Sequence, residues 1–376
     1  MEERTYQTQA IAFLSETRRG IVEAPAGSGK THIAASAIAA CLEKPREGKA
    51  VIEILVNTLE QIQQMENACA RFPIIAQRAN LSIFCGAGAP LGTKPDLLIV
   101  DECHHSASKT WARKIKEAPK ARWGLSATPF SSNGFRNERM VELFGHRHYD
   151  IPREGLVDAG HLARAKVVWH TIEDQAVTRN IEDLKQEMVQ KAMRDSPHMF
   201  KHPRTADKYV RGIEWRAVQK AGLFENEPRN AIIVEEANAR IRDGHSVIIL
   251  IGKITHGEEL AEQIEGAVQC NAKLGKKKRR ETIEAFRNGG IRCLIATSML
   301  DEGFDAPVAS CLIVASGGKS ERKAIQSTGR VLRPYDGKAH GVIVDFHDDF
   351  HHMISWHSEQ RFETYAELNY EQSDPQ

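Results

Sequence analysis

Ala24-Pro25-Ala26-Gly27-Ser28-Gly29-Lys30-Thr31 stands between the apolar run Gly20–Glu23 and the alanine-rich stretch Thr31–Cys41. The apolar run predicts a buried strand, and the alanine-rich stretch predicts a helix because alanine has the highest helix propensity. A glycine-rich loop between a strand and a helix is typical of a phosphate-binding loop, and its Gly-Lys-Thr end matches the pattern GxxxxGK[ST]. Ala24 takes the place of the first glycine of that pattern.

The glycines and the start of the helix in this loop predict an anion site. Glycine lets backbone N–H groups wrap around phosphates, and a helix N-terminus adds the positive end of its dipole. We expect Lys30 to bind the β- and γ-phosphates and the Thr31 hydroxyl to bind Mg²⁺. The residues expected to bind the nucleotide are Ala26, Gly27, Ser28, Gly29, Lys30 and Thr31. For this segment taken alone, the alternative is a plain glycine turn ahead of an alanine-rich helix.

Two adjacent carboxylates follow the apolar run Leu97–Val100. This run predicts a strand, and ligands of α/β sheets lie beyond the carboxyl ends of the strands. Asp101 suits Mg²⁺, directly or through water, and Glu102 is placed to orient and activate the water that attacks a γ-phosphate. For an isolated Asp-Glu pair, the alternative is a helix N-cap with an acidic first turn.

Strand and helix patterns alternate along most of the chain. Runs at Val51–Val56 and Arg122–Leu125 complete a first lobe, residues 1–150, while residues 151–228 lose the strand patterns and predict a linker and a helical, basic insert. The alternation resumes in a second lobe, residues 229–376, with strands expected at Ser246–Ile251, Ile291–Ala296, Ser310–Val314 and Gly341–Asp345. We therefore predict an α/β fold with two lobes, each a mostly parallel sheet flanked by helices, and a helical insert between them.

Size and composition are those of an ordinary two-domain globular protein. The chain has 376 residues, 41% of them apolar and 27% charged, and its formal net charge of +1 indicates no class of partner. Seven cysteines without a CxxC pair favour a reducing, cytoplasmic location over a disulfide framework or a zinc site. The longest apolar runs are too short to span a bilayer, so no membrane segment is expected.

The motifs at residues 24–31 and 101–104 resemble those of the DExH branch of the superfamily 2 helicases, and the resemblance extends over nearly the whole chain. It implies two RecA-like lobes that hydrolyse ATP in the cleft between them. The sequence Arg-Thr-Tyr-Gln, from Arg4 to Gln7, is similar to the adenine-binding element of related motors, which implies that both of these residues contact the nucleotide. Asn57 and Thr58 lie in a segment that resembles motif Ia and would contact the nucleic-acid backbone.

Two further segments resemble motifs III and V of the family. In Leu-Ser-Ala-Thr-Pro, residues 125–129, Ser126 and Thr128 would couple ATP hydrolysis to nucleic-acid binding together with His104. In residues 295–305, Thr297 would meet the nucleic-acid backbone. The residues of this segment that would meet the nucleotide are Gly303 and Asp305.

The segment 326–334, Gln-Ser-Thr-Gly-Arg-Val-Leu-Arg-Pro, has the Q-x-x-G-R-x-x-R spacing of motif VI. Arg330 and Arg333 are three residues apart, so a helix would place both on one face. Guanidinium groups stabilise the charge that builds on a transferred phosphoryl group, as arginine fingers do. The resemblance implies a catalytic set of Lys30, Glu102, Gln326, Arg330 and Arg333. For two arginines alone, the alternative is a solvated basic face.

The finer likeness is to the UvsW and RadD-like group of DNA helicases and translocases. It implies an ATP-dependent and Mg²⁺-dependent enzyme that moves along or unwinds nucleic acid, with DNA favoured over RNA on family likeness alone. An RNA helicase is one alternative, and an ATPase that remodels or reanneals without unwinding is another. A small-molecule P-loop kinase is a rival against which the 326–334 segment argues.

Basic segments outside the motifs could add contacts with phosphates. Residues 191–220 carry an excess of basic side chains, and Tyr209 and Trp215 among them could stack bases, although buried aromatics in a helical hairpin explain these rings equally well. For Lys276–Arg280 a solvated face is the favoured interpretation. A cluster near the C-terminus could resemble a metal site, but solvated polar residues on a helix are the favoured interpretation for its members, His347, Asp348, Asp349, His351 and His352.

Overall fold

The computed structural model describes residues 4–25, 27–86, 95–117, 121–130, 134–271, 273–297, 306–318 and 340–374. The chain divides into two compact units, Met1–Leu162 and Ala163–Gln376. Each unit has its own sheet and its own apolar cores.

The first unit is built on a six-stranded parallel sheet. Its strands are β1 Arg19–Glu23, β2 Ala50–Val56, β3 Ala79–Cys85, β4 Leu97–Asp101, β5 Arg122–Ser126 and β6 His148–Asp150. They lie in the order β3-β2-β4-β5-β1-β6. Strands β4 and β5 are buried along their whole length, as expected where helices cover both faces of a parallel sheet.

Helices form two apolar cores with the first sheet. The helices are α1 Thr5–Ser15, α2 Lys30–Glu43, α3 Leu59–Ala70, α4 Pro73–Arg78, α5 Lys109–Glu117, α6 Gly134–Phe144 and α7 Arg153–Asp158. Neighbouring strand residues point to opposite faces, so Val22 packs with α1 and α2 whereas Ile21 packs with α5 and α6. The sheet is therefore covered by helices on both sides.

The second unit has a seven-stranded parallel sheet. Its strands are β7 Arg164–Ile172, β8 Val247–Leu250, β9 Ala267–Cys270, β10 Cys293–Ala296, β11 Cys311–Val314, β12 His340–Asp348 and β13 Glu371–Gln372. Their order is β13-β7-β12-β11-β8-β10-β9. The helices are α8 Gln175–Asp195, α9 Pro203–Ala217, α10 Glu227–Arg242, α11 Ile254–Gln263, α12 Lys276–Arg287 and α13 His352–Glu367.

The predicted fold class is confirmed, because both sheets are parallel in the described residues and helices flank them. The segment 151–228 nevertheless contains a strand that the sequence prediction missed. Strand β7 pairs with β12 from Arg164 to Ile172 and is the neighbour of β12 in the second sheet. Lys166 lies between the buried residues Ala165 and Val167, and Arg164, His170 and Thr171 are also charged or polar, which dilutes the apolar pattern.

The cysteines are buried or half-buried thiols. All seven lie in described residues, and none of them forms a disulfide. Burial raises the pKa of the Cys69 thiol to about 11 and that of Cys293 to about 12, so both are poor nucleophiles. Within the described ranges, no helix combines the length and the apolar composition that crossing a bilayer requires.

Candidate active site

Three of the predicted motifs leave the first sheet at the same edge. Strands β4, β5 and β1 are neighbours, and Glu23 at the end of β1 is in register with Ser126 at the end of β5. The amide of Ala24 donates a hydrogen bond to the Ser126 carbonyl at 2.8 Å. Asp101 ends β4 and Glu102 follows it. The carboxyl ends of three adjacent strands therefore gather the glycine-rich loop, the acidic pair and Ser126.

The glycine-rich loop adopts a backbone that other residues would strain. Gly27 and Gly29 have φ angles of 89° and 88°, in the left-handed region that glycine enters without cost. A Cβ atom on Gly29 would also lie 2.7 Å from Nε2 of Gln7. Gly29 caps helix α2, whose first backbone N–H groups have no acceptor within the helix. The loop therefore offers backbone donors to an anion, as the sequence predicts.

Lys30 lies between this loop and the acidic pair. Its Nζ donates to the Ala24 carbonyl at 3.2 Å and is 3.8 Å from Oε1 of Glu102. Only 13% of the side chain is exposed. A polyphosphate bound in the loop would therefore compete with Glu102 for this ammonium group.

Glu102 is held in a strained and strongly polar environment. Its φ of 47° is unusual for a residue with a side chain, and such strain is concentrated at functional sites. Oε2 lies 3.4 Å from Ser126 Oγ and 3.4 Å from His104 Nδ1. Burial opposes the charge, but Lys30 and the hydrogen bond with His104 outweigh it and lower the pKa of Glu102 to about 2. The side chain is therefore a carboxylate at neutral pH.

The oxygen groups expected to bind a divalent cation lie beside these residues. Asp101 is buried, and its Oδ1 accepts a hydrogen bond from the Glu102 amide at 3.0 Å. Thr31 is the second residue of α2. A carboxylate and a hydroxyl are the hard oxygen ligands that Mg²⁺ prefers, so the donor set fits that ion.

The Ser126 hydroxyl joins the acidic motif to the segment that follows β5. Its Oγ lies 2.9 Å from Nδ1 of His104 and accepts a hydrogen bond from the Thr128 amide at 3.1 Å. The Ser126 hydroxyl therefore contacts Glu102, His104 and Thr128, which we predict to act together. The Thr128 hydroxyl is buried and has no hydrogen-bond partner within the described part of the chain.

The segment expected to contact adenine packs on the glycine-rich loop. Gln7 Nε2 donates to the Ser28 carbonyl at 3.0 Å, and its Oε1 accepts from the Arg4 amide at 3.1 Å. Tyr6 donates to the same Ser28 carbonyl at 3.0 Å and accepts from Arg4 Nη1 at 3.1 Å. The sequence prediction gave Tyr6 no role, although an aromatic residue directly before the glutamine was the signal for one.

Asn57 and Thr58 follow β2 at the same edge of the sheet. Thr58 caps α3: its hydroxyl accepts from the Gln61 amide at 3.3 Å, and Gln61 Oε1 accepts from the Thr58 amide at 3.0 Å. Nδ2 of Asn57 is buried without a partner among the described residues. Leu59 beside it is 67% exposed. The capping bonds therefore fix the start of α3, directly after the two residues expected to contact nucleic acid.

The remaining predicted site residues are only partly described. Thr297 directly follows the carboxyl end of β10 and is half-buried. The residues that lie outside the described ranges are Ala26, Gly303, Asp305, Gln326, Arg330 and Arg333.

Two expectations about the second unit can be compared with the structure. Trp215 packs against a core of this unit with its ring 5.1 Å from that of His357, and Tyr209 packs on Phe200 at 5.7 Å, as the packed-hairpin alternative describes. The expectation of a solvated Asp348 was wrong. Strand β12 continues to this residue, which is fully buried and paired with Arg229 at 2.8 Å.

Two families match the chain, one in each half. Residues 1–85 and 87–131 match the family described as the Type III restriction enzyme, res subunit. Residues 229–335 match the helicase conserved C-terminal domain. The first match covers the glycine-rich loop and the acidic pair, and the second covers the Q-x-x-G-R-x-x-R segment.

Individual relatives match most of the chain at low identity. The DNA 3'-5' translocase XPB2 of Sulfurisphaera tokodaii is 26% identical over 90% of this chain and 80% of its own length. The DNA 3'-5' helicase XPB of Kineococcus radiotolerans is 24% identical over 88% of this chain and 57% of its own length. In three curated relatives the match covers 64%, 80% and 52% of the relative's own length.

A solved structure shares the fold. S. cerevisiae Dbp5 bound to RNA and ADP BeF3 superposes with a TM-score of 0.58 over 99% of this chain and 90% of that chain. The two sequences are 14% identical, so this likeness concerns the fold alone.

Proposed function

We propose that this chain is a superfamily 2 helicase, an ATP-driven motor that moves along DNA or unwinds it. One observation carries the proposal: Lys30, Glu102 and Ser126 meet at the carboxyl edge of the first sheet. Together they supply a cation to bind phosphates, a carboxylate to activate water and a hydroxyl that is hydrogen-bonded to the Thr128 amide. A merely structural glycine turn would need none of these contacts.

We propose that Glu102 orients and activates the attacking water. The water oxygen bonds to the γ-phosphorus, the bond to the β–γ bridging oxygen breaks, and ADP leaves with the electron pair. Glu102 takes the water proton. In the chain without nucleotide, Lys30 lowers the pKa of this carboxyl group, so the movement of Lys30 to the phosphates raises the basicity of Glu102 when water must be activated.

We propose that Thr31 and Asp101 hold Mg²⁺. A bound divalent cation neutralises charge on the phosphate oxygens during phosphoryl transfer. The short bond between Asp101 and the Glu102 amide fixes the direction of both carboxylates, which supports the assignment of one to the metal and the other to water.

The remaining roles are proposed on motif resemblance. Arg330 and Arg333 stabilise the charge on the transferred phosphoryl group, and Gln326 belongs to the same motif. The proposed nucleotide contacts are Arg4, Gln7, Ala26, Gly27, Ser28, Gly29, Gly303 and Asp305. The proposed nucleic-acid contacts are Asn57, Thr58 and Thr297, and the proposed coupling residues are His104, Ser126 and Thr128. The proposed lobes span residues 1–150 and 229–376.

DNA is proposed as the track because relatives with matches over most of this chain are named as DNA 3'-5' translocases and helicases. The fold is also that of Dbp5, which is bound to RNA in its solved structure, so an RNA helicase is the second candidate. The placement in the DExH branch rests on Asp101-Glu102-Cys103-His104. The grouping with UvsW and RadD-like enzymes stays a prediction.

Steady-state ATP hydrolysis tests the proposal. The rate is measured with no nucleic acid and then with single-stranded DNA, duplex DNA, branched DNA and RNA in turn. We expect strong stimulation by DNA and little by RNA. Stimulation by RNA alone would show that RNA, and not DNA, is the nucleic acid on which the enzyme acts. The absence of stimulation by any of these polymers would contradict a nucleic-acid motor.

A further inference from the structure

Two arginines are fully enclosed in the second unit. Arg229 is 0% exposed and Arg361 is 2% exposed. A buried charge is tolerated only when it is paired and hydrogen-bonded. Each arginine has an aspartate partner on strand β12, Asp348 for Arg229 and Asp345 for Arg361. Neither pair belongs to the proposed catalytic set, so their position in the fold needs its own explanation.

Arg361 uses all of its N–H groups. Nε and Nη2 form a fork on the Asp345 carboxylate, at 2.9 and 3.0 Å. Nη2 also donates to the Phe346 carbonyl at 3.0 Å, and Nη1 donates to the carbonyls of His357 and Gly318 at 3.2 and 2.7 Å. The Gly318 contact is the shortest of these bonds, and it reaches a residue far from α13 in sequence.

Asp345 is held from a second side, which fixes the direction of the fork. Tyr365 donates to Asp345 Oδ2 at 2.9 Å, and the Phe346 amide donates to Oδ1 at 2.7 Å. Asp345 is 0% exposed, so bulk water does not compete for these bonds. The guanidinium of Arg361 therefore has one orientation, and Nη1 is directed at Gly318.

The turn after β11 is the element that the two arginines share. Arg229 Nη1 donates to the Ala315 carbonyl at 3.0 Å, so both ends of the turn 315–318 are bonded to a buried arginine. Gly317 and Gly318 have φ angles of 57° and 96°, and a Cβ atom on Gly317 would lie 2.8 Å from Leu223. A glycine pair and two buried cations thus fix the path along which the chain leaves β11.

The position of this turn in the sequence indicates what it serves. Gly318 is the residue directly before segment 319–339, which carries Gln326, Arg330 and Arg333 and ends where β12 begins. Arg361 therefore binds the residue that precedes the segment and, through Asp345, the strand that follows it. Stability alone does not require this arrangement, because apolar residues of similar volume commonly serve as well as a buried ion pair.

We propose that Arg361, oriented by Asp345, is a positioning residue for the arginines of segment 319–339. The inference rests on the proposed function, in which Arg330 and Arg333 stabilise the transferred phosphoryl group. A catalytic group displaced by about 1 Å can cost on the order of a hundredfold in rate, so an anchor at the entry to the segment affects turnover without touching the nucleotide.

The test compares Arg361→Lys with the control Thr364→Val on the same helix. Lysine keeps the positive charge beside Asp345, but one ammonium group cannot hold the forked carboxylate and the Gly318 carbonyl together. Thr364→Val removes the hydrogen bond from Oγ1 of the buried Thr364 to the Gln360 carbonyl and leaves the contacts of Asp345 and Arg361 in place. We expect Arg361→Lys to lower kcat for DNA-stimulated ATP hydrolysis about tenfold to a hundredfold, and Thr364→Val to keep it within about twofold.

A binding measurement separates positioning from a general loss of structure. ADP with aluminium fluoride imitates the phosphoryl group in transit, and arginines that stabilise it contribute little to the binding of ADP alone. We expect Arg361→Lys to weaken binding of ADP with aluminium fluoride by at least about tenfold while ADP affinity stays within about twofold. An equal loss of both affinities, or a kcat within about twofold of the wild-type value, overturns the proposal.

The variant Arg330→Ala distinguishes failure of this inference from failure of the proposed function. If Arg361 acts through Arg330 and Arg333, adding Arg361→Lys to Arg330→Ala lowers the residual kcat by a smaller factor than Arg361→Lys lowers it in wild type, and a further loss of the same size as in wild type overturns the inference. Normal turnover by Arg330→Ala alone would instead remove the proposed role of Arg330. Circular dichroism melting of the wild type and the four variants checks that each is folded.

Discussion

Lys30 Nζ and Glu102 Oε1 lie 3.8 Å apart, so the cation proposed for the phosphates and the carboxylate proposed for the water are paired with each other. The pair is largely shielded from solvent, which strengthens the attraction and keeps Glu102 ionised. A bound polyphosphate is a stronger partner for Lys30 than one carboxylate. We therefore expect nucleotide binding to separate the pair and release Glu102 to act on water.

Glu102→Gln is expected to bind ATP and fail to hydrolyse it. Glutamine keeps the size of the side chain and loses the negative charge and the ability to take a proton, a contribution worth about 10² to 10⁴ in rate. A fluorescent ATP analogue measures binding, and phosphate release measures turnover. The matched control is Glu262→Gln on the exposed side of α11, which should behave as wild type. Near-normal phosphate release by Glu102→Gln would remove Glu102 as the base.

Gly29→Ala is expected to disrupt the glycine-rich loop. Alanine at a φ of 88° costs roughly 1 to 2 kcal/mol, and its Cβ would lie 2.7 Å from Gln7 Nε2. Since about 1.4 kcal/mol is tenfold in an equilibrium constant, we expect nucleotide affinity to fall roughly tenfold or more. Titration with a fluorescent ADP analogue measures this change.

The control for that variant is Gly155→Ala in helix α7. A Cβ atom on Gly155 meets nothing within 4 Å, and its φ lies outside the left-handed region. Alanine there should raise the free energy of unfolding by about 0.4 to 1 kcal/mol and leave nucleotide affinity unchanged. Equal affinities of Gly29→Ala and Gly155→Ala would contradict the role given to the loop.

Thr58→Ala is expected to destabilise the first unit by about 1 kcal/mol, because the helix α3 loses its N-cap. Thr58→Ser keeps the hydroxyl and should retain most of the stability. Urea denaturation of the three proteins measures the difference in the free energy of unfolding. An unchanged unfolding midpoint in Thr58→Ala would show that the capping bond contributes nothing, and a loss of DNA affinity in that variant alone would support a backbone contact.

Acidification is expected to reveal the charge on Glu102. Its pKa is about 2 in the folded chain against 4.5 for an unperturbed glutamate, so the carboxylate stabilises the fold fully above pH 4.5 and loses this effect as the pH falls towards 2. The difference in unfolding free energy between wild type and Glu102→Gln should stay constant from about pH 7 to about pH 5 and shrink below that. A difference that shrinks between about pH 7 and pH 6 would contradict the lowered pKa.

The sequence predicts correctly where the first-lobe motifs lie relative to the strands. The glycine-rich loop, the acidic pair and Ser126 fall at strand ends because short apolar runs mark buried strands of a parallel sheet and polar residues end them. The two sheets follow from the same alternation. Strands at the edges of the sheets were missed, such as β3 and β9, because their half-buried residues give no continuous apolar run.

Contacts between residues distant in sequence could not be predicted. Lys30 was expected to point at phosphates, and its bond to the Ala24 carbonyl appears only when the loop is folded. Asp348 looks solvated in a histidine-rich stretch, and only its partner Arg229, 119 positions away, explains its burial. The bond between Arg361 and Gly318 is of the same kind. A local sequence pattern does not indicate which distant residue will be the hydrogen-bond or ion-pair partner.

Displacement of a labelled third strand from a DNA triplex measures translocation directly, because the protein must travel along the duplex to remove the strand. We expect wild-type protein with ATP and Mg²⁺ to displace the strand, and we expect Glu102→Gln or an unhydrolysable ATP analogue to prevent displacement. The same assay on a forked duplex separates unwinding from travel alone. Displacement by Glu102→Gln at the wild-type rate, or no displacement by a wild-type protein whose ATP hydrolysis is stimulated by DNA, would contradict a motor driven by this site.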